Sequence, residues 1–374
     1  MFSTRRDLKV VVIGAGVAGL ATALALKRQG AGVVVYEQAE CPGPIGAGVL
    51  LNEPGLRALA EFGLRKDVER LGKQVYRLEG SSVTGKLLLD LDLASINASS
   101  LGVHRGALFQ VLYEACHQAG VEICLGKSVS ALSDIDNKRN LTVIADGSAS
   151  QLRSVLTGQG GNEYKWGALW AAVPAPYWPF PDVLKQVYSG ANKLIGFLPT
   201  GQADLVTVFW SVRLDMAEAA KTSLDWIEEA VRMAPFAEGL LRSLNSSDFV
   251  VARYRHAWAK VSRKLTDMGI VFIGDALHSM SPQLGQGANL ALQEASCLAR
   301  SVSDGDPIWT AQAALRDRAR YYSRLSRLLS PWFQSDTPGV GAIRDSVAPL
   351  LGSIPAVRRE MLRTFAGLKT GWLS

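Results

Sequence analysis

Four short stretches carry side chains whose types and spacing suit chemistry. The first is Gly14-Ala15-Gly16-Val17-Ala18-Gly19, with Glu37 following 18 residues after Gly19. In a G-x-G-x-x-G run between a strand and a helix, the first glycine permits a tight turn. The second lets the backbone approach a pyrophosphate, and the third allows close helix–strand packing. The helix start offers unpaired N–H groups to phosphates. Glu37 suits ribose hydroxyls and disfavours a 2′-phosphate, so NADP is not the expected resident ligand. The second stretch is Gly274-Asp275-Ala276-Leu277-His278, continued by Pro282-Gln283-Leu284-Gly285-Gln286-Gly287-Ala288-Asn289. There Asp275 is suited to accept bonds from sugar-like hydroxyls. Gly285 and Gly287 free the backbone to approach a flat ligand, and the helix that follows favours negative charge on it. Asp146-Gly147 in ADGSASQLR and Arg105 in VHRG complete the set. Alone, the first is equally a turn and the second equally a surface charge.

These residues need elements to hold them. Residues 8–13 (LKVVVI) and 32–36 (GVVVY) are short β-branched runs, predicting buried strands around a helix over 17–29. That strand–helix–strand unit predicts a parallel sheet. Helices are expected over 53–62, 106–119, 222–243 and 286–302. Further strands are expected at 121–125, 141–145 and 269–273. Between 166 and 212 aromatic and β-branched runs alternate with Pro/Gly turns, predicting a second, antiparallel unit. Beyond 302 the pattern is helical, punctuated at Pro331, Pro338, Pro349 and Pro355.

The set and its order resemble the FAD-dependent aromatic hydroxylases, the single-component flavoprotein monooxygenases that include para-hydroxybenzoate and salicylate hydroxylases. GAGVAG with Glu37, GAGVLLNEPGLRALAEFGL, VHRGALFQVL, ADGSASQLR and GDALHSMSPQLGQGANLALQEA carry the resemblance, spread over residues 10–295. It implies an α/β fold: a Rossmann-like FAD-binding domain, an inserted antiparallel β-sheet substrate domain and a helical C-terminus. The corresponding boundaries are 1–75, 100–165 and 263–330 for the discontinuous FAD-binding part. Residues 76–99 and 166–262 form the substrate part, and 331–374 the C-terminal segment. The resemblance places Gly14, Gly16, Ala18, Gly19 and Glu37 on the ADP half of FAD, with Gly48 in the next cofactor stretch. Arg105 would meet the phosphate–ribityl region and Asp275 the ribityl chain. Pro282, Gly285, Gly287, Ala288 and Asn289 would border the isoalloxazine ring, and Asp146 would support the phosphates indirectly. NADH or NADPH would reduce the flavin without a domain of its own. One oxygen atom of O₂ would then pass through a flavin C4a-hydroperoxide to a small aromatic substrate.

Two features depart from the resemblance. The 125–145 stretch is short, and Glu294 stands where aspartate is more usual. Trp170 and Trp210 are the candidate pocket residues, each equally a sheet-core residue. Among His104, His117, His256 and His278 no catalytic base stands out. A flavin-dependent reductase or dehydrogenase, or a flavin-binding protein without turnover, uses the same motifs. A halogenase is disfavoured, because Trp-x-Trp-x-Ile-Pro is absent.

The 374 residues carry 40 basic and 34 acidic side chains, a net charge of +6. No nucleic-acid module accompanies the late arginines, which predicts a solvated helix face and no nucleic-acid partner. Cys41, Cys116, Cys124 and Cys297 show no metal spacing and fit a reducing compartment. An Arg5-Arg6 pair ahead of an apolar run imitates an export signal, but Gly14, Gly16 and Gly19 break the run. The expectation is a cytoplasmic monomer or homodimer without a membrane-spanning segment or metal. The amphipathic stretch PAVRREMLRTFAGL is expected to dock on the flavin domain, with subunit pairing and membrane contact as alternatives.

Overall fold

The computed structural model describes residues 8–43, 48–135, 139–201 and 204–372. The Arg5-Arg6 pair, Gly46 in the early glycine-rich loop and part of the short 125–145 stretch lie outside the described residues. Strands Lys9–Ile13, Gly32–Tyr36, Glu122–Cys124, Leu141–Ile144 and Ile270–Phe272 form one sheet, all parallel. Its spatial order is Ile270–Phe272, Leu141–Ile144, Lys9–Ile13, Gly32–Tyr36, Glu122–Cys124. The chain thus builds outward from Lys9–Ile13 on one side, then returns and builds on the other. Such a reversal opens a crevice beyond the carboxyl ends of the two neighbouring strands. Val10, Val12, Val35, Val143 and Val271 are buried, as strands covered on both faces require. The Val17–Arg28 helix is buried from Gly19 to Leu26 and packs against the Arg105–Gln118 and Gly287–Asp304 helices.

The second sheet has seven strands, in the order Val250–Ala257, Gly161–Pro174, Leu205–Arg213, Lys193–Pro199, Val183–Ser189, Arg77–Ser82, Leu87–Asp92. It is mixed rather than purely antiparallel, because Val183–Ser189 runs parallel to Arg77–Ser82. Leu169, Ala171, Phe197, Val208 and Trp210 point to one face, where they form a second core with Trp226, Ala230 and Leu241. The helix expected over 222–243 is broken. Leu224 takes a left-handed conformation after Ala217–Ser223, and Pro235 follows the end of Ile227–Met233.

A small antiparallel sheet of Gly48–Asn52, Ser100–His104 and Gly72–Val75, not anticipated from sequence, bridges the two. The last three helices are Ile308–Phe333, Val340–Ser353 and Pro355–Phe365. Pro331 and Pro349 ride inside the first two, near their C-terminal ends, instead of breaking them. Leu362, Phe365 and Ala366 pack on Leu78, Leu91 and Leu93 of the large sheet. Phe365 also meets the Leu284, Tyr321 and Tyr322 cluster. The last helix therefore docks on the sheet and on the loop near Leu284, and not on the parallel sheet.

The edge strand Ile270–Phe272 is sealed by a side chain. Gln312, 2% exposed, accepts the Phe272 N–H at 2.8 Å and donates to the Phe272 carbonyl at 3.2 Å. The amide thus mimics a missing strand. Gln312→Leu leaves both backbone groups buried and unpaired, at about 1–3 kcal/mol each. We expect the melting temperature to fall by several degrees in calorimetry. An unchanged value would show that the pairing contributes nothing.

Candidate functional site

Apart from Arg105, which follows the antiparallel strand Ser100–His104, each chemical motif lies where a parallel strand ends. Gly14 follows Ile13, Glu37 follows Tyr36, Asp146 lies just past Ile144, and Asp275 lies just past Phe272. Gly14 has φ of +100°, and a Cβ there would sit 2.4 Å from the Ala145 carbonyl oxygen. A Cβ on Gly19 would lie 1.9 Å from the Gly14 carbonyl oxygen. A Cβ on Gly16 would meet nothing within 4 Å, so this glycine faces open space. The helix it begins has no side-chain cap and no acid in its first turn. Its N–H groups and partial positive charge are left for a ligand. One oxygen of Glu37 braces this loop, accepting Ala15 N–H at 2.7 Å, while the other accepts Ala39 N–H at 2.9 Å in the turn after its own strand. Ala18 is half-buried, and its methyl is close to Gly274, where a Cβ would come within 2.7 Å of it.

Asp146 and Asp275 converge through a residue that the sequence argument quoted but did not single out. Arg153, 1% exposed, donates to the carbonyls of Ser148 at 2.9 Å, Asp275 at 3.2 Å and Ala276 at 3.2 Å. It closes ADGSASQLR, seven residues after Asp146; a lone arginine ending a turn motif gave the only signal. Burial pushes its pKa down, against the pull of Asp146 and Asp275. Burial likewise raises Asp146, whose Oδ1 is enclosed without a partner. Asp275 is exposed to solvent, yet surrounding protein raises its pKa, against attraction by His278 and Arg105. Arg105, the exposed first residue of its helix, forms no ion pair among the described residues.

The loop after Asp275 supplies an open floor. Exposed Pro282 starts a short 3₁₀ turn, and Gly285 ends it at φ of +63°. A Cβ at Gly285 or Gly287 would meet nothing within 4 Å. Asn289, expected at the flavin ring, turns its side chain into the protein instead. Its Oδ1 accepts Asn52 N–H at 2.9 Å, and its Nδ2 donates to the Leu50 and Gly285 carbonyls at 2.8 and 3.0 Å. Ala288 packs half-buried on the main core. Gly48 is likewise enclosed: a Cβ would sit 2.3 Å from Thr200 Cγ2, and its N–H donates to Thr207 Oγ1 at 2.9 Å. It joins the small sheet to the large one.

The two tryptophans lie on opposite faces of the large sheet. Trp210 stacks on Trp226 at 5.1 Å in the second core, so it is not a pocket residue. Alternation along the strands puts Trp170 on the other face. It stacks on Phe209 at 5.2 Å and donates from Nε1 to Tyr254 OH at 3.1 Å. His256, two residues on, shares this face and has Nδ1 buried without a partner. The end of this strand is pinned to the cofactor loop by Ala257 N–H to Ser279 O at 3.0 Å.

His278 is fully buried and pairs with buried Glu294, whose other oxygen accepts Gly274 N–H at 2.7 Å. Burial alone would lower the imidazole pKa; Glu294 and then Asp275 outweigh it and hold the ring above 6.5. A raised histidine stabilises the fold fully below its unfolded value, and the contribution fades as pH rises through the folded value. Glu294→Gln keeps the acceptor for Gly274 but removes the charge. Its melting temperature should fall below wild type more at pH 6 than at pH 9. A gap independent of pH would contradict the ion pair.

The features fit FAD: an open glycine over an uncapped helix, an accessible carboxylate beyond a strand end and an unobstructed loop floor. Comparison with known proteins bears on the same point. Two solved structures share the fold. 2-Methyl-3-hydroxypyridine-5-carboxylic acid oxygenase superposes with a TM-score of 0.77 at 22% identity, covering 99% of this chain and 100% of that one. Klebsiella pneumoniae HpxO, complexed with FAD and uric acid, gives 0.80 at 20%, covering 98% of each. Among curated relatives, 6-hydroxynicotinate 3-monooxygenase of Pseudomonas fluorescens is 26% identical over 79% of this chain and 83% of its own. 2-Heptyl-3-hydroxy-4(1H)-quinolone synthase of Pseudomonas aeruginosa is 26% identical over 78% and 80%. The model of the family described as FAD binding domain matches residues 7–304, and by that match the chain belongs to this family of FAD-dependent aromatic hydroxylases.

Proposed function

We propose that the crevice at the strand ends binds FAD in one extended pose, and that the enzyme hydroxylates a small, electron-rich aromatic or heteroaromatic ring. The observation that carries this reading is the convergence of Gly16, Asp146 and Asp275 at the ends of three adjacent strands. In this reading the N–H groups at the start of Val17–Arg28 receive the pyrophosphate. Gly14 and Gly19 permit the turn that aims them. Glu37 keeps the loop in place by accepting Ala15 N–H and offers its remaining lone pairs to the ribose hydroxyls. Asp275 accepts from the ribityl hydroxyls, and Arg105 adds positive charge beside it. Asp146 and Arg153 fix the neighbouring turn. Pro282, Gly285, Gly287 and Ala288 border the ring, and the helix after Gly287 stabilises negative charge there. When bound, FAD supplies the redox chemistry, taking reducing equivalents from NADH or NADPH and activating O₂ for transfer of one oxygen atom.

Trp170, Phe209 and Tyr254 form the apolar wall for the substrate, and the Tyr254 hydroxyl is its polar handle. The relatives' names, a 6-hydroxynicotinate monooxygenase and a hydroxyquinolone synthase, support a nitrogen heteroaromatic. His256 is the one histidine on this wall and the candidate proton acceptor for a ring hydroxyl. Burial lowers its pKa, with Arg327 adding to the effect, so it is neutral and able to accept near pH 7. The reading keeps the discontinuous FAD part (1–75, 100–165, 263–330), the inserted substrate part (76–99, 166–262) and the segment 331–374. It takes the enzyme as a cytoplasmic monomer or homodimer. The four cysteines, free thiols in the structure, support a reducing compartment. No helix of the described residues is long and apolar enough to cross a membrane.

Two measurements test this. Anaerobic NADH or NADPH should bleach the flavin faster when a hydroxylated pyridine, quinolone or benzoate is present, and air should restore the colour. Bleaching indifferent to every such ring would favour a reductase, and no bleaching a non-catalytic flavoprotein. Gly16→Val fills the open space above the helix and should yield folded protein purified without flavin. A fully yellow variant would remove the pyrophosphate from this loop.

A further inference from the structure

The Val340–Ser353 helix is held firmly on one side and bare on the other. Its inner face carries Arg344, 4% exposed, which pairs with Asp345 at 2.6 Å. Arg344 also donates to the Trp332 carbonyl at 3.1 Å and lies 4.7 Å from the Tyr188 ring centroid. The outer face carries Ile343, Val347, Leu350 and Leu351, with Ile354 just beyond. These are 53, 40, 67, 44 and 47% exposed. At 3.6 residues per turn they fall within an arc of about 100°. The preceding helix adds exposed Leu328 and Trp332 near the same end. A continuous apolar stripe of this kind marks an interaction surface.

The surrounding charge indicates the partner. Residues 320–365 hold seven arginines against three acidic residues, a net of +4 out of +6 for the chain. All three acids are paired: Asp336 with Arg213, Asp345 with Arg344, and Glu360 with Lys369. Arg324, Arg358 and Arg359 are exposed and make no ion pair among the described residues. Two such faces brought together would set like charges against each other. An apolar stripe flanked by unpaired arginines and a tryptophan instead matches an anionic lipid surface.

We propose that this face docks the enzyme peripherally on anionic phospholipid, with the stripe entering the headgroup layer and the three arginines meeting the phosphates. The test is flotation of flavin-loaded protein with phosphatidylcholine vesicles, with or without about 30 mol% phosphatidylglycerol. Wild type should bind the anionic vesicles at least tenfold better. The double variant Leu350→Asp, Leu351→Asp should lose binding. Changing Arg324, Arg358 and Arg359 to glutamine should lower it more than tenfold, since each is worth about a fivefold change. Flavin content and melting temperature report that these surface variants remain folded. The proposal falls if wild type does not float with anionic vesicles, or if the leucine variant still does. It also falls if light scattering shows a wild-type dimer that the leucine variant splits, because a second copy then covers the face.

Discussion

The site depends on one close approach, between Gly14 and the end of the Leu141–Ile144 strand. The gap is too small for a β-carbon, which would overlap the Ala145 carbonyl oxygen at 2.4 Å. With glycine there, the turn after Lys9–Ile13 drops against the neighbouring strand end and swings the next helix over the sheet. The helix N-terminus then faces the point where strand order reverses, and the turns holding Asp146 and Asp275 border the same opening. A larger residue would lift the turn and separate the phosphate cradle from the two carboxylates. Gly19, packed on the Gly14 carbonyl, fixes the helix onto that turn.

Around this turn runs a seam of buried polar groups. Arg153 holds the Asp146 turn to the Asp275 turn, and Glu294 holds the Asp275 turn to the Gly287–Asp304 helix through Gly274 and His278. Asn289 ties the start of that helix to Leu50 and Asn52 of the Gly48–Asn52 strand. Burying such charges is costly unless each is paired, and the pairing fixes geometry more than it adds stability. The result is one rigid frame drawn from chain segments more than a hundred residues apart.

Much of this was legible in the sequence, for a physical reason. Motifs that cradle a dinucleotide act through backbone, so their glycines leave a local signature beside β-branched strands. The parallel sheet and the tight turn through Gly14, Gly16 and Gly19 were therefore readable. What failed depends on contacts between distant segments. Asn289 resembles a ligand contact in sequence, but its amide is consumed by Leu50 and Asn52. Trp170 and Trp210 are indistinguishable by composition. Their even spacing across paired strands says nothing of which face is covered until Trp226 is seen on Trp210. The parallel pairing of Val183–Ser189 with Arg77–Ser82 also leaves no local trace. Arg153 was visible but unremarked, because its function appears only when the carbonyls of Asp275 and Ala276 arrive from elsewhere in the chain.

In the proposed function the crevice and the aromatic wall are two halves of one oxygen-transfer site. The measurement that bears on it most directly is turnover under ¹⁸O₂, with the product analysed by mass spectrometry. The account predicts that each product molecule gains one labelled oxygen atom, with none from labelled water. Consumption of NAD(P)H with substrate present but no label in any product would contradict it.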